Sequence, residues 1–267
     1  IVESTFTHRG DRRNLKFDHK KFEKFKDKII YLTFDKEPHG IEAVNENDNE
    51  AEKSRKYILN AAKRENGQRD YIRSGLQKAS PEDLILISDV DEIPNLEELK
   101  LENLKEKILM FQQDMFYYKF DLKLPDTVWS GTKACRKKDL LSPQWLRNIK
   151  DKKYPFWRVD TIFSKNKHNN IRFVDDGGWH FTNIKTPEEI FSKFNSFLHN
   201  VDFKLSGLNL NDIRKMVAEK KIGYDHFADQ RKVDRWNSQI TLKAVDISVL
   251  PEYISNNKEK FKEWLDL

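Results

Sequence analysis

Three carboxylates follow a short aliphatic run between residues 83 and 94. The run at residues 84–87 indicates a strand buried on both faces, and such strands deliver polar residues to the ligand-binding edge of an α/β sheet. Asp89 and Asp91 are two residues apart, so in a continuing strand their side chains face the same way. Two oxygen donors at this place suit a divalent cation that a phosphate also holds. The alternative is that the acids cap a helix beginning near Pro94, which accounts for one or two of them but not for three.

A second group of candidates lies at residues 175–180, where two acids and two glycines precede Trp179 and His180. Paired glycines permit unusual backbone dihedrals or a close approach of the backbone to a ligand. Trp179 offers a flat face of the kind on which sugars stack, and His180 is a candidate ligand for a borderline metal ion. The alternative is a tight turn between two strands, with Trp179 and His180 in the core.

Other candidate ligand-binding residues are more scattered. Glu3 and Arg9 lie in a segment that follows an expected strand end, so this segment would line the same edge of the sheet. Arg9 could pair with a phosphate in a bidentate manner, and the alternative is a solvated loop. Arg69 lies inside an expected helix and is either a surface charge or a partner of the acidic cluster. Trp129 and Trp145 stand among polar residues, a mixture typical of carbohydrate sites, although Trp145 could equally belong to the core.

The elements expected to position these residues alternate between strand and helix. A strand at residues 29–34 is followed by a long helical pattern at residues 46–79. The strand at residues 84–87 is then followed by a short helix at residues 96–107. This alternation predicts an α/β fold with a mostly parallel central sheet.

The chain is expected to divide near Lys185. Residues 1–185 are predicted to form the α/β body, and residues 186–267 a helical C-terminal extension that packs on it. The extension has too little apolar core for an independent domain.

Composition and charge narrow the classes of function. The chain has 267 residues, of which 35% are charged, a net charge of +5, a pI of about 9.0 and a mean hydropathy of -0.82. Lysines and acids are interspersed, so we expect a solvated surface and no nucleic-acid partner. The single cysteine, Cys135, excludes an intrachain disulfide and a thiol-rich metal site. No apolar run has the length of a membrane span and no signal peptide is present, so we expect a cytoplasmic protein without a transmembrane segment.

Several segments together resemble glycosyltransferase family 17, whose best-known members are β-1,4-mannosyl-glycoprotein β-1,4-N-acetylglucosaminyltransferases. The strongest are the Ser-Asp-Val-Asp-Glu-Ile-Pro string at residues 88–94 and the Gly-Trp-His-Phe string at residues 178–181. The others, in the family's order, are residues 2–5, 25–30, 68–69, 75–76, 193–194 and 196–197.

The resemblance implies a type A glycosyltransferase, a Rossmann-like α/β sandwich that uses a nucleotide-sugar donor and usually Mn²⁺ (or Mg²⁺). It implies that Asp89 and Asp91 are the family's Asp-x-Asp pair and that His180 completes the metal shell. The sequence departs from the family in two respects. The family's first strand, with its Phe-Asn-Glu-Leu-Asp-like segment, would be expected before Ile1, and the Golgi membrane anchor of the animal members is not seen.

The residues and the resemblance predict an inverting, metal-dependent enzyme that moves N-acetylglucosamine from UDP-N-acetylglucosamine to a hydroxyl of a saccharide or glycoconjugate acceptor. The β-1,4 linkage follows from the resemblance alone. The cation would neutralise charge on the leaving nucleotide, and a general base would deprotonate the acceptor hydroxyl. The candidates for the general base are Glu92, Asp175 and Asp176. The residues expected to contact the donor are Glu3, Arg9, Arg69, Asp89 and Trp179.

Two other classes of function are weighed against this prediction. A metal-dependent phosphoesterase would use the same acids to activate water, but it would need more histidine and aspartate ligands and typically two metal ions. A carbohydrate- or nucleic-acid-binding module would keep the fold without turnover.

Overall fold

The computed structural model describes residues 1–97, 99, 104–155, 157–196, 203–204, 206–223 and 240–266. The strands are β1 (Val2–Ser4), β2 (Leu32–Phe34), β3 (Leu84–Ile87), β4 (Glu92–Pro94), β5 (Ile108–Tyr117), β6 (Leu122–Arg136), β7 (Ile171–Val174), β8 (Gly178–Thr182), β9 (Lys221–Ile222), β10 (Ile240–Thr241) and β11 (Lys243–Ala244). The α-helices are α1 (Glu50–Asp70), α2 (Pro143–Asn148), α3 (Asp160–Phe163), α4 (Pro187–Ser196), α5 (Leu210–Ala218) and α6 (Glu252–Ser255). Short 3₁₀ helices span His19–Lys28, Tyr71–Gly75, Lys137–Asp139, Ile247–Val249 and Lys262–Trp264.

A mixed sheet of seven strands forms the centre of the molecule. Its order is β11-β6-β5-β8-β4, with β3 also paired to β6 and β7 also paired to β5. Within the described residues, β6 runs antiparallel to β3, β5 and β11, and β4 runs antiparallel to β8. Only β7 and β8 run parallel to β5 in this part of the chain. The α/β class is confirmed, but the expected mostly parallel arrangement of the central sheet is wrong.

The difference arises from the connection between β5 and β6. Four residues, 118–121, join these long strands, and so short a connection permits only an antiparallel pair. Tyr118 adopts a φ of 65° inside this turn. The sequence pattern marks the region as β-rich, but it does not show where the chain reverses.

Helix α1 begins with a capping box and carries Arg69 in its last turn. The Asn49 side chain accepts from the backbone N–H of Glu52, whose side chain in turn accepts from the backbone N–H of Asn49. The expected helix at residues 46–79 is therefore shorter at both ends, and it continues through Gly67. A Cβ at Gly67 would lie 3.0 Å from the Phe34 ring, so glycine lets α1 pack closely on β2.

The helix expected at residues 96–107 does not follow β3. Residues 92–94 form β4 instead, and residues 96, 97, 99 and 104–107 are not helical. Residues 98 and 100–103 of the expected helix lie outside the described part of the chain.

The core lies on both faces of the central sheet. Met115 and Phe116 are consecutive residues of β5, so they point to opposite faces, and both are fully buried. Met115 packs in a cluster with Ile190 of α4 and Ile213 of α5. Phe116 packs in a cluster with Ile254 of α6. Residues after 185 thus cover both faces of the sheet and add β9, β10 and β11 to the expected helices. The division of the chain at residue 185 stays a prediction.

None of the helices in the described part of the chain combines the length and the apolar character needed to span a membrane.

Candidate active site

Asp91 and His180 meet because β4 pairs with β8. The register sets Glu92 opposite His180, and the backbone N–H of Phe181 donates to the carbonyl of Asp91 over 2.8 Å. Asp91 Oδ2 lies 3.5 Å from His180 Nε2. The imidazole is buried, with 9% of its side chain exposed, whereas 31% of the Asp91 side chain is exposed. Two motifs that are 89 residues apart in the chain therefore supply one carboxylate–imidazole pair.

A partly buried lysine, Lys193, acts on this pair. Burial alone would raise the pKa of Asp91, but the hydrogen bond to His180 and the charges of His180 and Lys193 together lower it. Burial lowers the pKa of Lys193, and Asp91 opposes that shift. Lys193 Nζ also donates to Asn183 Oδ1 over 2.8 Å, which anchors the lysine of α4 to the end of β8. The site therefore combines a carboxylate, an imidazole and a partly desolvated ammonium group.

Asp89 is held by two arginines rather than beside Asp91 and His180. Its Oδ1 accepts from Arg69 Nη2 over 3.1 Å, and its Oδ2 accepts from Arg147 Nη2 over 2.9 Å. The expected link between Arg69 and the acidic cluster is thus present. Asp89 and Glu92 mark the two ends of a tight turn, residues 89–92, which we call the acidic turn.

Glu92 is the most enclosed of the three acids, with 1% of its side chain exposed. Arg147 donates to both of its oxygens, over 3.0 Å in each case. Trp129 Nε1 donates to Oε1 over 2.9 Å, and the backbone N–H of Asp89 donates to Oε2 over 3.0 Å. Each oxygen of Glu92 therefore already accepts two hydrogen bonds. The acids do not cap a helix, because their partners are arginine, histidine, tryptophan and a backbone N–H within the acidic turn.

The metal ligands expected from the sequence are only partly brought together. Among the described residues, no group of three or more His, Cys, Asp or Glu side chains is arranged to hold a metal ion. Asp91 and His180 form a pair, while Asp89 turns towards the arginines. His180 Nδ1 is buried and has no hydrogen-bond partner among the described residues. The nitrogen that faces Asp91 is Nε2, which also lies 3.3 Å from the Thr182 hydroxyl oxygen. An imidazole nitrogen beside a carboxylate oxygen fits a borderline cation such as Mn²⁺, provided that a bound ligand supplies the remaining donors.

Of the tryptophans suggested for sugar binding, Trp179 faces away from His180 and Trp129 lies beside it. Trp179 precedes His180 in β8, so it points to the opposite face of the sheet, where it packs in the cluster that contains Phe116. Its Nε1 donates to the carbonyl of Val249 over 2.7 Å. The Trp129 ring instead lies 5.1 Å from the His180 ring, with 33° between the ring planes. Trp129, not Trp179, is the aromatic side chain beside the carboxylate–imidazole pair.

Asp175 and Asp176 occupy the turn between β7 and β8 and are exposed. Neither forms a hydrogen bond or an ion pair with Asp91 or His180 in the part of the chain that is described. The expected tight turn is present, since Asp176 has a φ of 50°. The paired glycines after it permit a close approach to protein backbone: a Cβ at Gly178 would lie 2.1 Å from the carbonyl oxygen of Ile93.

Neither Glu3 nor Arg9 forms a hydrogen bond or an ion pair with the acidic turn in the described part of the chain. Glu3 accepts from the backbone N–H groups of Lys16 and Phe17, over 2.7 and 3.0 Å, and from the Tyr31 hydroxyl over 2.9 Å. It thereby fixes the loop that links β1 to the first 3₁₀ helix. Arg9 is exposed in the turn after β1.

Lys193 and Asn183 were not among the sequence candidates for the chemistry of the site, and Arg147 was named only as part of the polar–aromatic stretch around Trp145. Lys193 carried a signal, because it lies three residues after Ile190 on the apolar face of a predicted helix, where a lysine needs a partner. Arg147 could have been placed on a helix from Ser142 and Pro143, the cap and first residue of α2. Its carboxylate partners, Asp89 and Glu92, however, lie more than 50 residues away in the chain.

Comparison with protein-family models identifies the molecule as a glycosyltransferase, an enzyme that transfers a sugar from a nucleotide-sugar donor to a saccharide acceptor. The model of glycosyltransferase family 17 matches residues 1–266, and the chain belongs to that family. The resemblance seen in the short sequence strings is thereby confirmed. No curated protein and no solved structure matches the chain.

Proposed function

We propose that the protein is an inverting, metal-dependent glycosyltransferase that moves N-acetylglucosamine from UDP-N-acetylglucosamine to a saccharide hydroxyl. The observation that carries the proposal is the Asp91–His180 pair, 3.5 Å apart at the edge of the central sheet of a family 17 chain. The specific donor and the β-1,4 linkage come from the family resemblance. The metal dependence rests on the chemistry of the pair.

Asp91 and His180 are the residues that would hold Mn²⁺, through one carboxylate oxygen and one imidazole nitrogen. When bound, the cation would neutralise charge that develops on the departing diphosphate. Lys193 contributes to the same end, because a partly buried ammonium group attracts the diphosphate more strongly than an exposed one. Trp129 packs beside His180 and restricts the orientation of its ring.

The acidic turn has a positioning role in this proposal. Arg147 contacts Asp89 and Glu92 at once, so it fixes both ends of the turn that carries Asp91. Glu92 is less suited to act as a general base than the other candidates, since both of its oxygens are occupied. Asp175 and Asp176 are exposed, and they remain the candidates for deprotonating the acceptor hydroxyl.

A two-metal phosphoesterase receives less support. It would need more carboxylate and histidine ligands in one place than the described residues bring together.

The test is a transfer assay with UDP-N-acetylglucosamine and a panel of saccharide acceptors, with Mn²⁺ or with a chelator. We expect Asp91→Asn to lower kcat by about a hundredfold or more, because it removes charge complementary to the cation. Asp126→Asn is the matched control: Asp126 is exposed at a φ of 53°, a conformation that asparagine tolerates. Wild-type turnover in Asp91→Asn, or in the presence of the chelator, would contradict the proposal.

A further inference from the structure

Residues 11–30 form an exposed, positively charged segment that takes no part in the site described above. The segment contains eight Lys and Arg against four Asp and Glu, a net charge of +4, compared with +5 for the whole chain. Every residue in it is exposed except Phe17 and Ile29, which are partly buried. We call this segment the basic aromatic surface.

Large apolar side chains project from the same segment. Phe22, Phe25, Ile30 and Leu15 are 42%, 47%, 49% and 40% exposed. Phe22 and Phe25 are three residues apart in the segment His19–Lys28, whose 3₁₀ helix is kinked at Phe22. Exposed apolar residues are ordinary when scattered, but a group of them on one short segment marks an interaction surface.

The aromatic part of the surface is held in place by stacked rings that belong to Phe17 and Tyr31. The Phe22 ring stacks on Phe17, with the ring centres 5.3 Å apart, and Phe17 stacks on Tyr31 at 4.8 Å. Glu3 fixes this stack through the Tyr31 hydroxyl and the backbone of Phe17. The segment is therefore a built platform that presents apolar rings outwards.

The charges around the rings are available to a partner. Lys20, Lys21, Lys24 and Lys28 form no ion pair with a carboxylate among the residues that the structure describes, whereas Lys26 pairs with Glu23. Lys24 lies over the Phe25 ring, 5.7 Å from its centre. Cationic and apolar groups thus alternate over one short stretch of surface.

We propose that the basic aromatic surface binds an anionic lipid bilayer at the level of the headgroups. Lysines near such a surface are attracted to its anionic headgroups, and apolar side chains bind further when they enter the headgroup–acyl boundary. A polynucleotide would also attract the lysines, but it would leave Leu15 and Ile30 exposed. A bilayer accommodates both kinds of side chain. The inference does not depend on the proposed sugar transfer.

The experiment measures co-sedimentation of the full chain with phosphatidylcholine vesicles, with and without phosphatidylglycerol. We expect binding only to the anionic vesicles, weakening as salt is raised. The combined substitutions Lys20→Gln, Lys21→Gln and Lys24→Gln should reduce the partition coefficient roughly tenfold to a hundredfold. The combined substitutions Leu15→Ser and Phe25→Ser should reduce it at constant charge.

Control variants test whether binding depends on this surface or only on the total charge and the total exposed apolar area of the protein. Lys105→Gln, Lys258→Gln and Lys262→Gln together remove the same charge from exposed sites elsewhere and should leave binding unchanged. Leu141→Ser and Val249→Ser together remove two apolar side chains from exposed sites elsewhere and should also leave binding unchanged. The two residues are 61% and 50% exposed.

Any of the following results would overturn the proposal: no binding to anionic vesicles, equal binding to neutral ones, equal losses in the controls, or binding to a polynucleotide without binding to vesicles. Self-association of the chain through this surface, with no vesicle binding, would also overturn it. Urea unfolding of each variant tests whether the variant is folded, so that a loss of binding can be distinguished from misfolding.

Discussion

Arg147 joins two carboxylates at the ends of the acidic turn, so its removal would leave charge buried without compensation. Glu92 has 1% of its side chain exposed, and breaking a buried pair by removing one partner costs about 3–5 kcal/mol. We expect Arg147→Met to lower the free energy of unfolding by roughly that amount in urea titrations. Glu92→Gln combined with Arg147→Met should cost less than the sum of the single changes, because the buried charge is then gone.

Arg136→Met is the matched control for this prediction. The ion pair between Arg136 and Glu82 is more exposed, with 33% and 62% of the two side chains accessible, so its loss should cost less than about 1 kcal/mol. A loss in Arg147→Met no larger than that in Arg136→Met would contradict the role given to Arg147.

Lys133 predicts a pH dependence of stability. The residue is 5% exposed, and its Nζ donates to the carbonyls of Arg147 and Ile149, over 2.7 and 2.6 Å. Burial, with a contribution from the charge of Arg147, lowers its pKa from 10.5 to about 8. Below pH 8 both the folded and the unfolded chain carry the proton. Between pH 8 and 10.5 only the unfolded chain keeps it, so the contribution of Lys133 to stability rises with pH.

The measurement compares the wild type with Lys133→Met at several pH values from 7 to about 10.5, because other groups titrate in both proteins. The difference in unfolding free energy should shift in favour of the wild type by up to about 3 kcal/mol across that window. A difference that stays constant would show that Lys133 keeps an ordinary pKa in the folded protein.

At the level of elements, the antiparallel pairing of β4 with β8 creates the site. Gly178 lies opposite Pro94 with a φ of 119°, and a Cβ there would lie 2.6 Å from the backbone nitrogen of Asn95 as well as close to Ile93. The pairing therefore requires glycine at this position. The same pairing sets the distance between Asp91 and His180, because Asp91 directly precedes β4 and His180 belongs to β8.

Gly178→Ala should lower the unfolding free energy by at least about 2 kcal/mol and reduce transfer activity in the folded fraction. Gly207→Ala tests the backbone conformation alone, since Gly207 has a φ of 71° and no atom of the described residues lies within 4 Å of the added Cβ. Its cost should be about 1–2 kcal/mol, without loss of activity. Equal effects of the two substitutions would rule out a clash with β4 as the cause.

Local patterns predicted the single elements well and their pairing poorly. Strand β3, the greater part of α1 and the turn before His180 follow from residues that are close together in the chain. The reversal after β5 depends on a four-residue turn without a strong sequence signal, and this reversal makes the sheet mixed rather than mostly parallel. Residues 92–94 form a strand because they pair with β8. No local pattern near Pro94 indicates this pairing.

At the scale of the whole molecule, the site gathers side chains from most of the chain. The acidic turn contributes Asp91, β8 contributes His180, α4 contributes Lys193 and α2 contributes Arg147. Asp91 and His180 were predictable because each stands in a recognisable family string. The role of Arg147 was not predictable, since it depends on contacts with Asp89 and Glu92 that form only in the folded chain. Trp179 shows the converse: its string was recognised, but strand alternation turns it to the other face.

The central claim is that Asp91 and His180 hold a divalent cation together with a nucleotide diphosphate. Its most direct test is a titration of Mn²⁺ with the protein in the presence of UDP, in which electron paramagnetic resonance reports the free ion. We predict that UDP promotes Mn²⁺ binding in the wild type and in Asp126→Asn, and that Asp91→Asn weakens it at least about tenfold. Equal Mn²⁺ binding by Asp91→Asn and the wild type would contradict the account.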